Sequence, residues 1–229
     1  NLNDSGAGSF RTAVTTSGCR FVVFETSGTI QLTTLLTIDP DCMTIAGQTA
    51  PSPGIMVDTG PCGIRIDASH VVMQHIRFRM GKNTTCNGNT LRFRNGVANV
   101  VLDHVSASWG CDETVTSVPT SGADPQDIAI LDSIVREGLD WCGTPTQDGL
   151  HSKGSLFTPA PNGTLTIART LYAHHANRTP RVDPGWRVAM VNSIVYNVRN
   201  GASESDGPWP AVIAQGNSGV PVGGGCSDI

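Results

Sequence analysis

Three short stretches decide the fold: Val100-Val-Leu-Asp-His-Val-Ser-Ala-Ser, Ile128-Ala-Ile-Leu-Asp-Ser-Ile-Val and Val191-Asn-Ser-Ile-Val. Each runs from a β-branched or aliphatic strand through a small polar corner into a second short apolar strand. The same texture recurs over 63–80, 89–109, 127–138, 164–174 and 187–198. A repeat of roughly 20–30 residues built from such strands is the signature of a solenoid. Outward from these stretches, further β-branched runs lie at Phe21–Phe24, Leu35–Ile38, Met43–Ile45, Ile55–Val57 and Ala211–Ile213, bounded by Gly, Asn, Asp, Ser or Pro. They follow too closely for crossover helices, and their spacing is too uneven for regular hairpins. The reading is all-β, a single-stranded parallel β-helix, with a β-sandwich as the other architecture. A single domain over 1–229 is expected, with 200–229 a short or truncated C-terminal end.

Composition agrees. Charged residues are 15% of the 229-residue chain, against roughly 25% in an average soluble protein. Gly is abundant at 26, and Lys occurs only at Lys82 and Lys153. Helical bundles draw on Ala, Leu, Glu and Lys, so they are excluded. Small polar residues stacked at solenoid corners explain the abundance of Thr and Asn. The net charge of -4 offers no electrostatic footprint for nucleic acid. No apolar run approaches the ~18 residues of a membrane helix.

Seven cysteines without a C-x-x-C pair argue against zinc or redox motifs. Asn-x-Ser/Thr triplets occur at Asn3, Asn83, Asn162 and Asn177. Together these favour a secreted, glycosylated and disulfide-bonded protein, and the abrupt opening at Asn1 suits a processed form or a fragment. Several cysteines recur about one rung apart, as bridging between adjacent rungs requires. The alternative is that some are buried small hydrophobes, and the connectivity stays open.

A longer series of motifs carries a resemblance: Asn1-Leu-Asn-Asp-Ser-Gly-Ala-Gly-Ser-Phe-Arg, Val23-Phe-Glu-Thr-Ser-Gly-Thr-Ile, Thr44-Ile-Ala-Gly-Gln-Thr-Ala-Pro, His75-Ile-Arg-Phe-Arg, Leu102-Asp-His-Val-Ser-Ala-Ser-Trp-Gly-Cys-Asp-Glu, His151-Ser-Lys-Gly-Ser-Leu, and His174-His-Ala-Asn-Arg-Thr-Pro-Arg-Val. In this order, and with Val191-Asn-Ser-Ile-Val-Tyr-Asn, they resemble the pectate lyases of polysaccharide lyase family 1 over about residues 1 to 200. The resemblance implies a right-handed parallel β-helix and calcium-assisted β-elimination of an acidic polysaccharide such as polygalacturonate.

It also assigns roles. Arg178 matches the catalytic arginine, while Lys153 and Arg181 match substrate-binding cations. Calcium would be held at Asn87, Asn89 and Asp112, with Thr116 at a fourth position and Glu113 as its substitute. Where the family places acidic residues, Asn87 and Asn89 stand here. Each lost charge weakens a site for a hard divalent cation. A glycan at Asn177 would crowd the cleft beside Arg178. Asp103-His104 looks catalytic but belongs, by the resemblance, to the β-helix itself. His174-His175, being adjacent in a strand, face opposite sides. The rival function is a catalytically degenerate β-helix, a glycan-binding or structural extracellular module capable of self-assembly.

Overall fold

The computed structural model describes residues 1–81, 86, 88–94, 96–118, 123–142, 151–200 and 211–220. Within them, strands gather into three sheets of eight, eight and six strands, and every pairing is parallel. The first sheet begins with Arg20–Val23 and Met43–Ala46, the second with Gly28–Gln31 and Ile55–Asp58, the third with Leu36–Ile38 and Ile64–Ile66. The chain visits first, second and third sheet in turn and then starts the next rung. One complete rung is Ala98–Asp103, Ser106–Ser108 and Glu113–Ser117. This is the parallel β-helix expected from the repeat. The sandwich alternative falls, because sandwiches are built from antiparallel sheets.

The interior is a stack of aligned apolar side chains. In the second sheet Ile30, Val57, Phe78, Ala107, Val135, Tyr172 and Val195 pair in register and are all buried. In the first, Val22, Ile45, Met73, Leu102, Ile130, Ile167 and Met190 do the same. A strand's period of two sends alternate residues inward, so each rung needs only two or three apolar positions per strand. That explains how a chain with few long apolar runs builds a continuous core. Phe78 is fully buried against the small Ala107. Phe78→Ala is therefore expected to cost about 3–5 kcal/mol, read as a lower urea midpoint with an unchanged slope.

From His75 onward, the corner from first to second sheet is one or two residues long and turns on one residue in the left-handed region. His75, His104, Asp132, Arg169 and Asn192 occupy it in successive rungs, with φ from 48° to 54°. His, Asp and Asn are enriched among non-glycine residues that adopt this conformation. The shared Leu-Asp text of the two deciding stretches is thus offset by one residue: His104, not Asp103, is stacked with Asp132. Beneath the corner, small polar side chains satisfy the turning backbone. Ser133 Oγ accepts from Val105 N at 3.0 Å, Ser193 Oγ from Thr170 N at 3.2 Å, and Asn217 Oδ1 from Ser193 N at 2.9 Å. Buried backbone donors need such partners, which accounts for the Ser, Thr and Asn content.

A short helix, Phe10–Thr15, precedes the first strands. Its N-cap Ser9 accepts from Thr12 N, and it buries Phe10 and Val14 in the core. Disulfides join Cys19 to Cys42, Cys62 to Cys86 and Cys111 to Cys142. The one-rung spacing is bridged in these pairs, not between Cys42 and Cys62 or Cys86 and Cys111. Each closes a loop worth about 3–4 kcal/mol of chain entropy. Cys226 lies outside the described residues.

Candidate functional site

The corners between second and third sheet are longer than the one- or two-residue corners that join first to second from His75 onward. Asn89, Asp112 and Arg178 lie on them, with Glu113, Lys153 and Arg181 opening the third-sheet strands that follow. In the third sheet Glu113 pairs with Lys153, and Lys153 bridges to Asn177, so three successive rungs bring these corners together. Lys153 Nζ donates to Asp112 Oδ1 at 2.7 Å, and His151 Nδ1 lies 3.0 Å from the same oxygen. Arg178 Nη1 donates to Glu113 Oε1. Asp112, Glu113, Lys153 and Arg178 thus form one linked group of two acids and two bases.

Local backbone geometry sets the group. Ser152 and Arg178 both have positive φ, 45° and 58°, a conformation that costs non-glycine residues of order 1 kcal/mol or more. Gly154 makes the close packing possible: a Cβ there would fall 2.4 Å from Arg178 O. Backbone bonds from Lys153 N to Asp112 O (3.1 Å) and from Ser155 N to Arg178 O (2.6 Å) lock the three rungs. The Cys111–Cys142 bridge fixes the corner beside Asp112.

Electrostatics differ between the two acids. Burial alone would raise the Asp112 carboxyl, but the Lys153 hydrogen bond and charge, helped by His151, hold it below the usual carboxylate range. Glu113 is only 2% exposed. Burial, and then the like charge of Asp112, push its carboxyl upward against the pull of Arg178 and Lys153. Hydrogen-bonding capacity remains unspent here. Arg178 Nε and Asn177 Oδ1 are buried without a hydrogen-bond partner among the described residues. Eight other buried side-chain atoms among the described residues share this condition, so it is not particular to the site.

The other expected residues are placed differently. Arg181 begins the next third-sheet strand, pairs in register with Leu156, and donates through Nε to Asp183 at 3.0 Å. Asn89 adjoins the group, but its Oδ1 accepts from Glu113 N at 3.0 Å. Thr116 is buried and donates to Leu156 O at 2.8 Å. Asn87 and Asn83 lie outside the described residues. Asn3 and Asn162 are exposed, and Asn177 is half-buried.

These side chains fit calcium poorly. The ion takes six to eight oxygens, yet Asn89 Oδ1, Thr116 Oγ1 and one carboxylate oxygen of the buried Glu113 are engaged within the protein. Among the expected ligands that are described, Asp112 offers the one partly exposed carboxylate, and its Oδ1 is shared between Lys153 and His151. A second acidic group, Asp103, His104 and Asp132, places three ligand atoms within 4.8 Å of one another. Its atoms are engaged too: Arg169 donates to Asp132 at 2.7 and 2.6 Å, Gln74 donates to Asp103 at 2.9 Å, and His104 pairs with Asp103 at 2.7 Å. It sits on the short corner ladder between first and second sheet, which agrees with a structural role for Asp103-His104.

His151 was not among the expected site residues. It stands two before Lys153, but Ser152 between them has a positive φ of 45° and the strand begins only at Lys153, so no strand alternation in the sequence points to it.

Among proteins of known name, the chain is 35% identical over 211 residues to a probable pectate lyase C of Aspergillus oryzae, covering 90% of this chain and 45% of that relative. A probable pectate lyase C of Neosartorya fischeri is 34% identical over the same length and coverage. One from Aspergillus fumigatus is 34% identical over 197 residues, covering 86% of this chain and 42% of its own. The chain therefore spans less than half the length of these relatives. No family model matches it. Its fold matches that of jun a 1, the major allergen from cedar pollen, with a TM-score of 0.63 at 14% identity, over 100% of this chain and 78% of that one. The resemblance to pectate lyases drawn from the motifs is thus carried by named relatives, and the β-helix by a solved structure.

Proposed function

We propose that the chain is the site-bearing part of an extracellular polysaccharide lyase that cleaves an acidic polymer of the polygalacturonate type by β-elimination. The observation that carries this reading is the contact group of Asp112, Lys153, Glu113 and Arg178 on adjoining rungs. The similarity to probable pectate lyases and the three disulfides support it.

In the reaction the C5 proton of a uronate leaves first. Its acidity depends on neutralising the adjacent carboxylate, and Lys153 and Arg181 supply fixed positive charge for that purpose. Arg178, in its neutral form, takes the C5 proton. The electron pair forms the C4–C5 double bond, and the C4 oxygen departs and is protonated. Asp112 orients Lys153, and Glu113 holds the far side of Arg178.

Calcium assistance is the part of the reading these side chains support least, and no step is assigned to it. Incubation with polygalacturonate should release unsaturated products absorbing in the ultraviolet. With a chelator the rate should stay within about tenfold of that with calcium, given the few charged ligands on hand. Absence of product throughout the alkaline range, in calcium and in chelator, would leave the glycan-binding alternative.

A further inference from the structure

Two tryptophans stand out on the corners that carry the site. Trp141 is 61% exposed and Trp109 is 40% exposed, although large indoles are usually among the most buried side chains. Neither is a loose surface residue. Trp109 N donates to Glu137 O at 3.1 Å. The Arg79 guanidinium lies over its ring, 5.8 Å from the centroid. Arg79 is itself fixed by donating to Phe78 O at 2.9 Å, Ser106 O at 2.7 Å and Ser106 Oγ at 2.9 Å. One face of the indole is thus pinned while much of the ring remains open to solvent.

Both tryptophans are tethered to the proposed reaction centre. Trp109 precedes Asp112 by three residues, so their Cα atoms lie within about 11 Å. Trp141 adjoins Cys142, whose bridge to Cys111 spans 5.7 Å between Cα atoms, and Cys111 adjoins Asp112. Its Cα is therefore within about 13 Å of that of Asp112. Those reaches correspond to two or three sugar rings of a bound chain.

The surroundings say what kind of ligand fits. Ion pairs lie at the same corners: Arg136 with Glu137, whose carbonyl accepts from Trp109 N, at 3.7 Å, and Asp140, next to Trp141, with Arg199 at 2.5 Å. A protein-binding patch would be continuous and apolar. Separate aromatic rings set among polar groups suit a ligand that alternates a flat C–H surface with hydroxyls, which describes a pyranose chain.

We propose that Trp109 and Trp141 form an aromatic platform on which pyranose rings of the polysaccharide stack next to the Lys153–Arg178 centre. This rests on the lyase reading and adds the residues that grip the polymer. The pinning of Trp109 by Arg79 reduces the ordering cost of binding.

The test is steady-state kinetics on polygalacturonate with the disulfide-bonded protein, comparing wild type with Trp109→Ala, Trp141→Ala, the double variant and Trp141→Phe. KM is expected to rise about tenfold in the double variant with kcat within about twofold, because ring stacking acts on ground state and transition state alike. Trp141→Phe should recover most of the loss that Trp141→Ala causes. Oligogalacturonate should change the intrinsic fluorescence of wild type, and most of that change should vanish in the double variant. A wild type that cleaves the polymer while the double variant keeps its KM and its fluorescence response overturns the platform alone. So does a double variant whose only change is in sedimentation, which would make the indoles a contact between copies. A wild type that neither cleaves nor binds oligogalacturonate overturns the lyase reading and the platform together.

Discussion

Arg178→Lys is expected to lower product formation from polygalacturonate by about a thousandfold or more, with thermal stability nearly unchanged. General bases contribute 10²–10⁴-fold, and the proposed role needs a planar fork that touches two partners at once. Arg178 Nη1 is committed to Glu113, its Nε is buried, and the side chain as a whole is 19% exposed. A lysine offers a single point charge that cannot serve both. It does preserve the positive charge beside Glu113, which is why it is the right comparison. Arg178→Ala would leave a carboxylate 2% exposed without its partner. Breaking a buried pair in that way costs about 3–5 kcal/mol, softened if Glu113 takes up a proton, as its upward-shifted carboxyl favours. Lost activity in that variant would confuse chemistry with stability. Near-normal turnover by Arg178→Lys, together with an unaltered pH profile, would remove Arg178 from the role of base.

The second large effect is on stability in acid. His175 is buried at 3% exposure. Burial pushes its imidazole down to about 4 from an ordinary 6.5, against a raising hydrogen bond to Val135 O. Between those values the unfolded chain binds a proton that the fold refuses, so stability rises with pH across this window. The contribution is fully present above about pH 6.5 and is lost as pH falls toward about 4, a decrease of about 3 kcal/mol. The depressed Asp112 carboxyl adds a loss of the same sign at lower pH. Urea unfolding at pH 7 and near pH 4.5 measures the effect, and His175→Gln, which still has a donor for Val135 O, should flatten it. A wild type equally stable at both values would mean that His175 takes up its proton as readily in the fold as in the unfolded chain.

The β-helix was legible because its signal is repeated. Val100–Leu102 and Ile128–Ile130 show the same strand because they occupy the same place in successive rungs, paired residue for residue. Repetition averages away the ambiguity of any single short apolar run. The three bridges were only half legible. A one-rung spacing makes Cys19–Cys42 plausible, but it makes Cys42–Cys62 equally so, and only the direction of each Cβ chooses between them. The motifs name Arg178, Lys153 and Asp112 as residue types; Lys153 and Asp112 touch, while Arg178 pairs with Glu113. The use of Glu113 and Asn89 was not legible. The motifs presented them as oxygen ligands, whereas the fold turns the Glu113 carboxylate onto Arg178 and the Asn89 carbonyl onto a backbone N–H.

By itself, then, the sequence determined the rung: strand length, the alternation that buries Val22 or Phe78, and the small polar residues of the corners. These depend on neighbours along the chain and on a repeat that any rung can report. Tertiary structure alone decided which charges neutralise one another, because the partners of Asp112 and Glu113 lie 41 and 65 residues away. Such pairings are set by how rungs stack and how their corners turn, and the energy of a charge depends on what surrounds it in space.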